Sequence, residues 1–548
     1  MNVPAGAALL DVRFDFLSPP KSFGDGYGRT PNVTPHLLVL PFNHVVLYPR
    51  DAALDALRIQ ASVRIPAGWQ FDVAVRPSAA ADGRIALPEM SLYTLLDSPL
   101  LAGEYFRSVP LADAPGATRI SIAADAPADL AINPTTVTGI QRLVAEANAH
   151  FGTRHYREYV WLIALGDNLD PNGLEHHEST DIRDAQTLFT DPVRLLEATV
   201  IPHEYVHSWN GKYRRPDGLA TKNDQEPMID DLLWVYEGMT QYLGDAVLFA
   251  RSGLGTQEQT RSLIALIAAR MENNRPGRAW RSIGDTATAL PGFNDAPGAW
   301  SGIRRNRDYY SEMLLVWLDA DTLIREKSGG TRSLDDFCRA FFGRDPGAIL
   351  VRPYTRAELV KVLHDVAPID WDGFLKARVD GINPHAPLDG ITRGGWTLTY
   401  SDEPNPFIAS GEKENEADDL GFSLGFWVKS DAKSAGTVDD VVYGSPAFAA
   451  GLAPQMRVIA IDGHKWNIET ARDVIVKAEK TREPIELIVE SADLVRTLRI
   501  DYHGGLRHPH LVRNESVPDL LTKILTPLVP VPAPTPAEGA APVSIPAH

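Results

Sequence analysis

The residues His203-Glu204-Tyr205-Val206-His207 set two imidazoles four positions apart, with a carboxylate beside the first. On a helix, positions i and i+4 share a face, so both rings can reach one cation while Glu204 stands offset from it. Two neutral imidazoles, a carboxylate and a fourth position open to water make a catalytic zinc site, with one zinc per chain expected. Such a site polarises a carbonyl and lowers the pKa of its bound water, and a neighbouring carboxylate takes the proton and later returns it. His203 and His207 are the nitrogen ligands on this reading and Glu204 the general base. Glu237, in Trp234-Val235-Tyr236-Glu237-Gly238, is the candidate third ligand and completes a two-His, one-Glu set. Its rival is Glu226, which Pro227 marks as loop. Pro202 directly precedes the first ligand, so the helix must start or kink there.

The elements that hold these residues change character along the chain. Residues 1–125 read as an N-terminal antiparallel β domain. Leu57–Ile65 comes close to period-two alternation, Phe71–Val75 and Thr118–Ile122 look like further strands, and turn-rich stretches such as Phe23–Gly28 separate them. From about residue 135 the period becomes helical: Ile140, Leu143, Val144 and Ala147 mark an amphipathic helix with Thr135 and Thr136 as capping candidates. Tyr159–Leu165 suits a buried strand, and helical patterns recur over Asp231–Ala250, Gln257–Met271, Tyr310–Glu326, Leu334–Phe342 and Arg356–Val366. Residues 126–390 are therefore a mostly helical, metal-bearing domain. Residues 391–505 carry short apolar runs, glycine turns and one helix near Glu469–Lys480, and 506–548 is a tail, Pro/Ala-rich and disordered or extended over Thr526–His548. The fold class is a multidomain α+β chain.

Composition narrows the function. A chain of 548 residues is too long for one core. The formal charge of -18 argues against a nucleic-acid partner. The single cysteine, Cys338, sits among apolar neighbours at helical spacing, which fits a core thiol and excludes both an internal disulfide and a thiolate metal cluster. No run of 18 apolar residues occurs, so no membrane span is expected. The N-terminus lacks the pattern of a signal peptide, which points to the cytoplasm, or to a periplasmic or secreted protein if an export segment has been trimmed.

Several segments together carry a resemblance. His203–Asn210 followed by Arg214-Arg215-Pro216, then Leu233–Thr240, resembles the glycyl aminopeptidase family of zinc metallopeptidases, a gluzincin relative of the alanyl aminopeptidases. Gly173-Leu174-Glu175-His176 resembles that family's Gly-Leu-Glu-His segment, and Tyr309-Tyr310-Ser311-Glu312-Met313 its Tyr-Tyr-x-Lys-Gly segment, with order and spacing agreeing over residues 30–505. The resemblance implies a thermolysin-like catalytic domain. It also implies that Gly173 and Glu175 bind substrate, with the Glu175 carboxylate receiving the free α-ammonium. It makes Tyr310 the donor to the oxyanion, with Tyr309 the alternative for that role or a second substrate contact. Glu312-Met313 departs from the family's Lys-Gly, and the β structure before Leu10–Phe14 is shorter than the family's.

Asp419-Leu420-Gly421-Phe422 resembles the Gly-Leu-Gly-Phe loop of PDZ domains, in which Leu420, Gly421 and Phe422 would hold a peptide carboxylate and the strand Ser423–Val428 would pair with the peptide. Gly444-Ser445-Pro446 and Asp462-Gly463 complete that pattern. The expected function is a zinc aminopeptidase for small first residues, glycine and alanine by resemblance, acting on peptides with a free N-terminus. The alternatives are a thermolysin-like endopeptidase and a catalytically weak zinc-bearing scaffold that recruits protein or peptide ligands through its PDZ-like domain.

Overall fold

The computed structural model describes residues 6, 9–18, 33–81, 83–111, 117–169, 171–293 and 298–530. In the N-terminal region, Leu100–Gly103 lies between Leu37–Leu40 and Gln70–Val73 in an antiparallel sheet. Leu57–Ile65 divides into Arg58–Ile59 and Ser62–Arg64, which pair with Met90–Ser91 and Arg84–Ala86. These elements share a core of Phe42, Ile65, Val73, Leu92 and Leu100. The turn expected at Phe23–Gly28 lies outside the described residues.

The next sheet has the order Asn172–Glu175, Ser179–Asp184, Glu158–Leu165, Ala117–Ala124, Tyr105–Pro110. Its three central strands run parallel and its two edge strands antiparallel. A parallel pair needs a crossover, and the helix Pro134–Phe151 supplies it between Ala117–Ala124 and Glu158–Leu165. Strands on both sides of residue 125 thus share one sheet, and no structural boundary falls there. Asn133 caps the crossover helix, its Oδ1 accepting the Thr135 N–H at 2.9 Å, so the cap lies ahead of the two threonines.

Below this sheet the helices close around one large cluster that includes Trp161, Tyr205, Trp209, Trp234, Tyr242, Trp317 and Cys338. The patterns over Leu334–Phe342 and Arg356–Val366 form helices with those bounds. The pattern over Asp231–Ala250 forms two short helices, Leu233–Tyr236 and Gly238–Gln241, then a π-helical segment, Tyr242–Leu248. Such wide turns frequently mark functional sites.

Trp396–Ser401 pairs antiparallel with His508–Arg513, and a smaller α+β module is inserted between them. The module's strands include Ala417–Asp419, Phe426–Lys429 and Val438–Val441, with the helix Ile468–Thr481 and a core of its own around Phe426, Val428, Ile475 and Leu487. The chain then returns to the main helical region. Leu521, Ile524 and Leu525 of the helix Leu520–Leu525 enter the main core, and the buried Glu146 carboxylate accepts the N–H groups of Leu528 and Val529, each at 2.9 Å. The expected tail from residue 506 is therefore ordered structure as far as this helix and the residues just after it, because three apolar side chains on one turn give it something to bury. Its Pro/Ala-rich end from residue 531 lies outside the described residues. Among the described residues no helix is long and apolar enough to cross a membrane.

Candidate active site

The chain approaches the site through a 3-10 segment, Arg194–Thr199, and enters the helix Val200–Val206. Pro202 lies in that helix's first turn, where a missing N–H leaves no intrahelical bond unmade, so the ligand residues follow without a kink. The π-helical segment presses on this helix. A Cβ at Gly244 would stand 2.7 Å from His203 Cα, so glycine alone permits the approach.

His203, His207 and Glu237 each present one ligand atom, all within 4.8 Å of one another. Glu237 Oε2 lies 3.2 Å from His207 Nε2 and 3.6 Å from His203 Nε2, yet it is buried without a hydrogen-bond partner. Three donor atoms converging without bonding one another suit a shared cation, and the donor set fits zinc. The other face of each ring is fastened: His203 Nδ1 is 2.9 Å from Asp245 Oδ1 and His207 Nδ1 is 2.8 Å from the Asn210 carbonyl. These contacts turn both Nε2 atoms inward. Asn210 Nδ2 donates to the carbonyls of Val235 and Tyr236, joining the end of the histidine segment to the helix before Glu237. Glu226 pairs instead with Lys222 at 2.8 Å in an exposed loop. Asp245 escaped the sequence reading, although a lone acid among the apolar residues of Tyr242–Leu248 was its visible signal.

Burial pushes the Glu204 carboxyl up to about 8 against the pull of His203 and His207. Burial raises Glu237 too, but in the absence of a metal His207 and His203, when protonated, outweigh it and hold it at about 2. The edge strand Asn172–Glu175 lies across Glu204. A Cβ on Gly173 would stand 2.2 Å from Glu204 Oε1 and 2.8 Å from Val200 Cγ2, so the absent side chain is the space the base occupies.

Glu175, Glu204 and His207 form a second group within 4.8 Å, which brings the expected ammonium anchor beside the expected base. The Tyr236 hydroxyl donates to Glu175 Oε1, and its ring lies 4.9 Å from that of His207. Nothing in the sequence marked Tyr236 for this contact. The Tyr310 ring stands 6.1 Å from the His203 ring. Burial first, then the charge of Glu237, raises its hydroxyl far above the usual value. Tyr309 packs behind it at 4.9 Å and is fully buried. The departure at Glu312-Met313 has a local cause. Glu312 is buried between the Arg278 and Arg305 guanidiniums, and Met313 packs against Gly238, where a Cβ would meet it at 2.2 Å.

The loop expected to hold a peptide carboxylate is closed on itself. The Gly421 N–H donates to Asp419 Oδ1 at 2.7 Å and the Leu420 N–H to the Phe426 carbonyl at 3.1 Å. Phe422 is buried in a cluster with Leu196, Phe249 and Phe407 of the catalytic region. The strand begins at Phe426 rather than Ser423, and Ala417–Asp419 and Val438–Val441 flank it on both sides, so it offers no free edge to a peptide. Aspartate at the loop's first position is the physical reason, since its carboxylate takes the amide a ligand would use.

A model of the M61 glycyl aminopeptidase family matches residues 197–316, and one of the Peptidase M61 N-terminal domain matches residues 2–104. The chain resembles the M61 glycyl aminopeptidases. The N-terminal match ends one residue before Tyr105–Pro110, the strand that opens the five-stranded sheet. No curated protein sequence matches the chain. Among solved structures, an aminopeptidase N family protein from Idiomarina loihiensis superposes with a TM-score of 0.73 at 17% identity, covering 90% of this chain and 83% of its own. An M1 zinc metallopeptidase from Deinococcus radiodurans, bound to a Tyr-Ser-Ala substrate, gives a TM-score of 0.39 at 16% identity and covers 61% and 65%. The first likeness establishes the multidomain fold, with an N-terminal sheet region and a helical catalytic region. With the M61 matches it supports a metallo-aminopeptidase.

Proposed function

We propose that this M61-like chain is a zinc-dependent aminopeptidase that removes small N-terminal residues, glycine or alanine, from peptides with a free α-ammonium. The convergence of His203 Nε2, His207 Nε2 and the unpartnered Glu237 Oε2 carries the reading. Zinc held by these residues supplies a polarised water and a Lewis acid. Glu204 takes the water's proton and delivers it to the leaving amine. The Tyr310 hydroxyl donates to the carbonyl oxygen as charge develops on it, and Tyr309 supports that ring from behind. Glu175, held by Tyr236, receives the α-ammonium and sets the distance from the chain start to the cleaved bond. Gly173 keeps the space beside the base open. The inserted module is a PDZ-like fold in this reading, with a structural role, since its loop and central strand are satisfied internally.

Protein loaded with zinc should hold one ion per chain and cleave glycyl or alanyl chromogenic amides but not their N-acetyl forms. Glu204→Gln should retain the metal and lose roughly 100-fold or more in turnover. Equal cleavage of blocked peptides would instead indicate a thermolysin-like endopeptidase. Full metal occupancy without hydrolysis would indicate a scaffold.

A further inference from the structure

A cavity of about 220 Å³ lies at the seam between the inserted module and the end of the helix Gln257–Asn273. Its walls include Asn274, Phe422, Val442, Ser445, Tyr502 and Arg507. The Tyr400 ring ties three lining residues together. The Arg507 guanidinium lies over its face, 4.2 Å from the centroid, the Asn273 amide donates to its hydroxyl, and the Phe422 ring stands 6.4 Å away. Several polar groups of the lining are already committed. The Tyr502 hydroxyl donates to the Gly505 carbonyl at 2.8 Å, the Ser445 hydroxyl accepts the Phe448 N–H at 3.2 Å, and Asn273 Nδ2 also donates to the Ala269 carbonyl at 3.0 Å. Two groups are left over. Asn274 is 2% exposed, and its Nδ2 is buried without a hydrogen-bond partner. Arg507 is half-buried, and among the described residues its guanidinium has no carboxylate partner.

Both leftover groups are donors, so what completes them is an acceptor. A guanidinium stacked on a ring keeps its N–H edge free, and that planar fork matches a carboxylate. One positive charge calls for a monoanion, since a phosphate would keep a second charge without a partner in a half-buried place. The cavity is smaller than the roughly 300–1,000 Å³ of drug-sized pockets, so its occupant is of amino-acid size rather than a peptide strand. Phe422 and Val442, each 7% exposed, give that occupant apolar walls. We infer that this seam binds a small monocarboxylate, a free or N-acylated amino acid in size, held by Arg507 and Asn274. The site shares no residue with the candidate metal centre. It also differs from the carboxylate loop expected of a PDZ domain, because the Gly421 amide is spent on Asp419 and neither Arg507 nor Asn274 belongs to that loop.

The probe is N-acetylglycine, which carries a carboxylate and no free ammonium, titrated into the zinc-loaded full chain by calorimetry. It should bind with a dissociation constant of about 1 mM. N-acetylglycinamide, its neutral analogue, and inorganic phosphate should each bind at least about tenfold more weakly. Arg507→Met keeps an apolar stem over Tyr400 but removes the charge, and should weaken the probe about tenfold or more. The inference is overturned if the probe gives no binding heat through the millimolar range, or if the amide or phosphate binds as well. It is equally overturned if Arg507→Met binds the probe unchanged, which would place the carboxylate elsewhere, the zinc included. Should Arg507→Met fail to fold, phenylglyoxal labelling of the parent chain with peptide mapping decides the matter. The probe should shield Arg507, and equal labelling with and without it would rule the site out.

Discussion

Gly173→Ala is the sharpest probe of the proposed base. The added methyl would lie 2.2 Å from Glu204 Oε1, whereas ordinary contact begins near 3.4 Å, and Val200 Cγ2 at 2.8 Å blocks a sideways escape. The strand cannot retreat easily, since Gly173 is in register with Ile182 of the neighbouring strand. The carboxylate must therefore move by about 1 Å, and a misplacement of that size costs roughly 100-fold in rate, or about 2.7 kcal/mol of barrier. The three atoms nearest that methyl belong to Glu204 and Val200, not to His203, His207 or Glu237, so zinc binding should persist. The assay is kcat/KM on an alanyl chromogenic amide, alongside zinc content by plasma emission and a thermal melt. Activity within about threefold of the parent protein would refute the argument, because it would mean that Glu204 does not need its present position. Loss of zinc together with activity would refute it differently, by showing that the edge strand supports the metal rather than the base.

Two further perturbations address the surroundings of the site. Asp245→Ala removes the carboxylate on His203 Nδ1 and should weaken zinc about 10- to 100-fold in competition with a chromophoric chelator; unchanged affinity would mean that the ring is oriented by packing alone. Glu197, bonded to Ser410 where the root of the inserted module meets the segment before the ligand helix, has its carboxyl raised by burial from 4.5 to about 7. A raised acid pKa favours folding below pH 4.5 and gives that stability up as pH rises through 7, by at most about 3 kcal/mol. Glu197→Gln should therefore melt higher than the parent at pH 8, with the gap narrowing toward pH 5, and a pH-independent difference would contradict the assignment.

The proposed metal ligands were legible because their chemistry is local: one turn of helix separates His203 from His207, and Glu237 sits in a short motif of its own. Long amphipathic helices such as Arg356–Val366 were legible for the same reason, through their period. Glu175 and Tyr310 carried no such signal, and only likeness to a family singled them out, since a four-residue edge strand is too short to show a pattern. Tyr236 and Asp245 act across the fold, and a contact such as that of Asp97 with the His177 amide spans 80 positions. The sheet that crosses residue 125 was hidden likewise, because a parallel pairing is separated in sequence by its crossover helix. The helix Leu520–Leu525 offers a single apolar turn, which reads as loop until its burial site is known.

That last helix gives the molecule an order of events. Leu521, Ile524 and Leu525 fill the cluster that also holds Tyr205 of the ligand helix and Tyr236 beside Glu237, yet they are synthesised after the whole inserted module. The pairing of Trp396 with Arg513 likewise closes a long loop whose entropy must be offset before the core is complete. A chain still on the ribosome has its histidines, its glutamates and its module, but no finished floor beneath them. The floor of the candidate site is therefore completed only after the inserted module has been made.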